Sequence, residues 1–391
     1  MERESPSQAG TPEECGPGPV IVVGAGVSGC ACALALAERG VSVILVGSAL
    51  DNVGLPSYGP LLHLDAGPAS EVLPRRLRDV WERWSWEPAD GSPFRVIDRR
   101  AVSLEMKQLI EGYAPIRLRQ GLVTAVRAPG KDGATGGGPA VKVETAFGEM
   151  LEGVACVLAV GLGFHGRIRV GGQVLEGGRY GEVSADALAR CLADGGLCFR
   201  QVERAVGARV ALQGEPHVSG TRRVRLRPVR PASGTGEEGC DHGGAPPLPP
   251  VPGRKGVDVP LGPHEERRAA ALFAFVGPTR SCAGGHETAG SAGDRKCVVV
   301  PDGLATGEWY VSSCCGEWRG GGVVTRPAHR VSASVVAGAA RDGSLPGFPG
   351  VWVVGQAAGA VEYMESMESG VRAAATVAAA LASGAGEVWT E

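Results

Sequence analysis

The chain has 391 residues, with 39 Lys and Arg against 42 Asp and Glu, a formal net charge of −3. That length suits one large domain or two modest ones, and 43% hydrophobic against 21% charged residues excludes wholesale disorder. The charge balance excludes a protein that acts mainly through global positive charge.

Residues 1–17 are rich in Ser, Pro, Glu and Gly and read as a flexible tail, without the basic-then-apolar plan of a signal peptide. No apolar run reaches the roughly 18 to 20 residues of a membrane helix. The cysteines number 11, and several sit in apolar segments (Cys30, Cys32, Cys156, Cys191), the pattern of reduced thiols. A soluble, cytoplasmic protein is expected.

VIVVG (Val20–Gly24) is a short, β-branched run, the signature of a strand buried on both faces. CACALALAER (Cys30–Arg39) is apolar nearly all round and reads as a buried helix, stopped by Gly40. VSVILV (Val41–Val46) completes a βαβ unit. Between strand and helix, VGAGVSG carries G-x-G-x-x-G. Gly24 suits the tight turn, Gly26 the approach of a pyrophosphate and Gly29 helix–strand packing, with Ala25, Val27 and Ser28 completing the loop. The helix start offers free N–H groups to phosphates. The bland alternative is a glycine-rich turn with no ligand. The acid expected about 20 residues on is missing, because the second strand ends in Gly47 and Ser48; the ribose then falls to Ser48 or to backbone groups. The loop by itself leaves NAD and FAD both open.

Downstream, residues 96–113 enter a helix near Ala101, and IRLRQGLVTAVR (116–127) reads as a strand. KDGATGGGP (Lys131–Pro139) reads as a hairpin-like loop between alternating strands. ACVLAVG (Ala155–Gly161) is another buried strand, and 184–193 look helical. Residues 232–256 hold too much Gly and Pro to pack a core. Order returns at PGVWVVGQ (Pro349–Gln356), followed by an alanine-rich helix over Ser369–Leu381. The expected organisation is a nucleotide-binding domain at 18–204, a variable insert at 205–330 containing the low-complexity segment 232–256, and a return to the first domain at 331–391.

Four segments together resemble the GidA family of flavoproteins, whose members include the MnmG enzymes of wobble-uridine modification and a folate-dependent tRNA uracil methyltransferase. They are VIVVGAGVSGCACALALAERG, LDNVG (Leu50–Gly54), VLAVGLGFHGRIRVGG with EGGRYGE, and PGVWVVGQAAGAVEYMESMESG (Pro349–Gly370). The chain looks closest to the short GidA-related proteins that keep the flavin-binding part. The resemblance implies an α/β fold, a doubly wound Rossmann-like sheet of the glutathione-reductase type. It implies FAD as cofactor, NADH or NADPH as electron donor, and an oxidoreductase linked to tRNA uridine modification. By the resemblance, FAD would contact the Gly24–Gly29 loop, the Val123 backbone, Ser184, Gly355 and Gln356, with Ser48 and Gly161 as further cofactor-binding candidates. Tyr363 and Glu365 match family positions near the flavin and are the catalytic candidates. The chain departs where the family carries a cysteine, since LPSYGPLL (Leu55–Leu62) places Tyr58 there, and a phenol is a poor substitute for a thiolate. Two other readings therefore stay open: a flavin-binding protein without turnover, and a small-molecule FAD oxidoreductase with no RNA partner.

TRRVRLRPVR (Thr221–Arg230) has five arginines and no acid. As a strand it would put Arg223, Arg225 and Arg227 on one face, either a grip on phosphates or a solvated edge strand. Cys282, His286, Cys297, Cys314 and Cys315 fit no common metal spacing, so no metal is expected; one of the adjacent pair Cys314 and Cys315 could stand in for the missing flavin-site cysteine. WERWSWEP (Trp81–Pro88) reads as a packing cluster or lid rather than a base-stacking platform.

Overall fold

The computed structural model describes residues 18–63, 72–128, 141–212, 222–229, 273–277, 297–302, 308–312 and 322–383. The expectations for 1–17, 131–139, 232–256, Cys282, His286, Cys314 and Cys315 lie outside these residues.

The centre is a five-stranded parallel sheet. Its order is β21 (Val351–Val353), β10 (Ala155–Leu158), β1 (Val20–Val23), β2 (Val43–Gly47), β6 (Ile116–Gln120). β1, β2 and β10 are buried along their whole length, as their unbroken apolar runs require. Alternate residues feed two cores. Val20, Val22, Val43 and Leu45 pack with helices α1 (Val27–Ala37), α2 (Arg75–Arg83), α3 (Arg99–Glu111) and the last helix, α5 (Tyr363–Ala382). Ile21, Val23, Ile44 and Val46 pack with α4 (Asp186–Asp194). That second face also takes an antiparallel sheet of β7 (Val123–Arg127), β8 (Val141–Thr145) and β9 (Met150–Gly153). The sheet is thus doubly wound, as expected.

Two expectations need correction. IRLRQGLVTAVR is two strands in two sheets, because Gly121 turns the chain after β6 and hands its N–H to Gly47 O at 2.9 Å. The last helix starts at Tyr363, six residues before Ser369.

An antiparallel sheet runs β12 (Gln173–Glu176), β11 (Arg167–Val170), β20 (His329–Val336), β13 (Phe199–Val206). Nine further strands form one sheet. Its order is β19 (Val323–Arg326), β14 (Ala208–Ala211), β18 (Glu308–Val311), β17 (Cys297–Pro301), β16 (Phe273–Gly277), β15 (Arg222–Pro228), β4 (Ser85–Pro88), β5 (Phe94–Ile97), β3 (Leu61–His63). Three of its strands therefore come from residues 61–97. The arginine strand β15 pairs with β16 on one side and β4 on the other, so it is not an edge. Trp81 and Trp86 are both buried, in separate cores, which is the packing role expected of them. Among the described residues no helix is long and apolar enough to cross a membrane, and no group of three or more His, Cys, Asp or Glu could hold a metal ion.

Candidate functional site

The carboxyl ends of β1, β2 and β10 open onto one cleft, the place where open parallel sheets bind ligands. Counting its open mouth and the solvent there, the space between its walls is about 1050 Å³.

The glycine loop forms its floor. Gly24 has φ +107°, and a Cβ there would lie 2.4 Å from the Ala159 carbonyl oxygen. A Cβ on Gly29 would lie 1.8 Å from Gly24 O, so this residue lets α1 press on the loop and does not itself line the cleft. Gly26 differs: nothing stands within 4 Å of its would-be Cβ, and it lines the cleft. It also caps α1 without any side-chain hydrogen bond, and the first turn of the helix carries no acid. Free N–H groups and a positive helix end thus face open space, a cradle suited to a pyrophosphate. Ala25, Val27, Ser28, Ser48, Val123, Gly161 and Gln356 line the same cleft.

Gly355 lies just behind the wall. Its φ is +67°, a Cβ would meet Ser28 Oγ at 2.4 Å, and its N–H donates to Ser369 Oγ at 2.7 Å. Close packing continues at Gly370, where a Cβ would sit 2.4 Å from Ser28 O. Ser184 is not among the lining residues. Its hydroxyl accepts from Gly166 N at 3.0 Å and also bonds Asp186, so it fastens the 163–166 turn to α4.

Sequence reasoning did not find the polar group on the facing wall. Asn52 Nδ2 donates to Glu182 Oε1 at 2.8 Å, Arg179 Nη1 donates to Ser57 Oγ at 2.8 Å, and Arg179 pairs with Glu182. All four side chains belong to lining residues. The only signal of Asn52, Arg179 and Glu182 in the sequence is that LDNVG and EGGRYGE belong to the segments that carry the family resemblance; Ser57 has none.

Tyr58 and Tyr363 both line the cleft, and both phenols are engaged. Tyr58 donates to Gly178 O at 3.1 Å. Tyr363 OH accepts the N–H groups of Tyr58 at 2.7 Å and Gly59 at 3.1 Å. Burial pushes both phenols above their ordinary value, Tyr363 to about 12, so neither serves as a base near neutrality. Glu365 does not line the cleft; its Oε2 accepts from Val361 N at 2.7 Å and stiffens the turn into α5. Cys30 and Cys32 are fully buried thiols pushed up to about 12 by desolvation, inert as nucleophiles. The arginines of β15 lie elsewhere, with Arg223, Arg225 and Arg227 exposed on one face while Val224 and Leu226 are buried on the other.

Comparison with known proteins adds to this geometry. The family described as Glucose inhibited division protein A matches residues 19–80 and 83–216, half of the chain. The tRNA uridine 5-carboxymethylaminomethyl modification enzyme MnmG of Syntrophotalea carbinolica is 33% identical over 207 residues, which is 49% of this chain and 32% of that protein. The enzyme of the same name from Synechocystis is 28% identical over 208 residues, covering 49% and 31%. The chain therefore aligns with about a third of the length of these relatives. Aquifex aeolicus GidA superposes with a TM-score of 0.67 at 17% identity, over 94% of this chain and 64% of that one, a likeness of fold.

Proposed function

This chain belongs to the glucose inhibited division protein A family, and on that premise we propose that it binds FAD in the cleft and works as an oxidoreductase on a tRNA uridine. The observation that carries the reading is Gly26, an uncrowded glycine at the start of a buried helix that faces the cleft at the carboxyl ends of β1, β2 and β10. The residues fit the cofactor. Gly24, Ala25, Gly26, Val27 and Ser28 would hold the pyrophosphate, Ser48 a ribose, and the Val123 backbone the adenine. Gly161 and Gln356 would flank the ring, with Gly355 and Ser184 holding that wall in place. Bound flavin supplies hydride transfer, with NADH or NADPH as the donor. The chain's own part is to orient and to exclude water: Tyr58 and Tyr363 close one side, where the Arg179–Glu182 pair, bonded to Ser57 and Asn52, fixes the neighbouring wall. Arg223, Arg225 and Arg227 offer the positive surface for tRNA phosphates.

A second reading, flavin binding without turnover, is favoured by one observation. Among the described lining residues there is no cysteine, and both phenols are tied up. The test is the visible spectrum of the purified protein and the identity of released cofactor, before and after anaerobic NADH and NADPH. Bound FAD that bleaches supports the oxidoreductase. Bound FAD that neither nucleotide reduces supports the second reading. A colourless protein that takes up no added FAD overturns both.

A further inference from the structure

Behind the loop that carries Tyr58, two arginines meet a single carboxylate and a third stands across the strand from one of them. Asp302, 2% exposed, accepts Arg99 Nε at 3.2 Å and Nη2 at 2.8 Å, and Arg209 Nε at 2.6 Å. Arg99 uses its remaining Nη1 on the Pro56 carbonyl at 3.1 Å. Arg209 is also 2% exposed, and its Nη1 and Nη2 are buried with no hydrogen-bond partner. Its cross-strand neighbour on β19 is Arg326. Arg326 has no carboxylate partner among the described residues and lies 5.1 Å from the Tyr180 ring centroid. His329, which gives Nδ1 to Pro327 O at 3.1 Å, borders the same Tyr180 ring at 4.8 Å.

This arrangement is unfavourable as it stands. Like charges opposed on adjacent strands repel, and buried guanidinium N–H groups without acceptors lose their hydration for nothing. Burial, and then the charges of Arg209 and Arg99, lowers the pKa of Arg326, the mark of a field that is positive in excess. An anion would resolve all three problems at once. With Nε held by Asp302, the free edge of Arg209 is its Nη1–Nη2 end, a fork whose spacing matches two oxygens of one carboxylate or phosphate. Both Nη atoms are buried, so a polymer backbone does not reach them and a small anion enters only from the side of half-buried Arg326. The cluster reaches the loop that carries Tyr58 through two contacts: Tyr310 lies 5.9 Å from the Arg209 guanidinium and against Gly59, where a Cβ would come within 2.7 Å of it.

We propose that Arg209 and Arg326, backed by Arg99 and Asp302, form a subsite for the carboxylate or phosphate group of a small-molecule substrate. The subsite stands whether or not the cleft holds FAD.

The test is calorimetric titration of the full chain with inorganic phosphate and with succinate, against potassium chloride at matched ionic strength. The expected result is saturable binding of at least one probe that Arg326→Gln and Arg209→Lys each weaken by roughly tenfold or more. Lysine keeps the charge and removes the fork. Phosphate alone would mark a phosphate ester as the group recognised, and succinate alone a carboxylic acid. Phosphate can also lodge at the glycine loop, so binding that survives Arg326→Gln belongs there and overturns the proposal, as does no binding beyond the chloride control. If Arg209→Lys fails to fold, the half-buried Arg326→Gln still decides.

Discussion

The Tyr363 hydroxyl accepts the Tyr58 amide at 2.7 Å, joining the first turn of α5 to a loop 305 positions earlier in the chain. The same hydroxyl takes the Gly59 N–H and donates to the Gly59 carbonyl at 3.2 Å. It therefore anchors the segment where the family carries its cysteine. Tyr363→Phe leaves two backbone N–H groups without their acceptor, and a buried unsatisfied donor costs about 1–3 kcal/mol. Urea unfolding should show a loss of that order, and if the cleft holds flavin as proposed, its visible spectrum should shift as the loop relaxes. Unchanged stability would remove the anchoring role.

The three loop glycines should separate by substitution. A Cβ on Gly29 collides with backbone 1.8 Å away, and Gly24 adds a φ of +107° to its own collision. Gly24→Ala and Gly29→Ala should each destabilise the fold by about 1–3 kcal/mol or more. Gly26→Val meets only open space, so the chain should fold with near-normal stability and, with the proposed FAD in this cleft, fail to hold it. Thermal unfolding with released-flavin quantification reads both effects. Stoichiometric FAD retained by Gly26→Val would move the pyrophosphate away from this loop.

What was legible in the sequence is what is local. β1, the glycine loop, α1 and β2 follow from β-branched runs and glycine spacing within residues 20–47, and the structure places them there. The start of α5 was hidden because Tyr363–Glu368 lacks the alanines that mark the rest; its entry is set by the docking of Tyr363 and by Glu365 on Val361. The facing wall of the cleft was invisible for a different reason. Asn52 meets Glu182 across 130 positions, and single polar residues carry no period that announces a distant partner; the same holds away from the cleft, where Arg99 meets Asp302 across 203. β15 was legible as a strand with an arginine face, but its interior place depends on β4 and β16, neither of which its own sequence specifies.

Acid should reach the cleft wall through Asp186. Burial opposes its ionisation, but hydrogen bonds from Arg167 and Ser184, and the charge of Arg167, outweigh that and hold its carboxyl below the ordinary 3.8. A carboxylate with a lowered folded pKa contributes stability that is fully present above its unfolded value of about 3.9 and is lost as pH falls through the folded value. The melting midpoint of the native chain should thus fall below about pH 4 more steeply than that of Asp186→Asn. Parallel curves for the two proteins from about pH 6 to about pH 3, either side of the roughly 3.9 reference value, would show that the Arg167 pair does not stabilise the fold.

The arginine stripe makes a prediction that the buried arginines do not share. Arg223, Arg225 and Arg227 are exposed while Val224 and Leu226 are buried, so the triple change to Gln leaves the core intact. Each such surface change should stay within about 0.5 kcal/mol of native stability. The ion pair of Arg227 with Glu87 is 3.9 Å long and half-exposed, and such pairs contribute little. If tRNA phosphates lie along this face, each arginine releases counterions on binding, at roughly 0.7 to 0.9 of a unit in the log–log salt slope. Filter binding of tRNA from low to moderate salt should then show the triple variant losing about two units of slope along with affinity. Arg209→Lys, whose guanidinium nitrogens are buried, should leave that slope unchanged. A slope that is the same in native and triple-variant protein would place any tRNA contact on another surface.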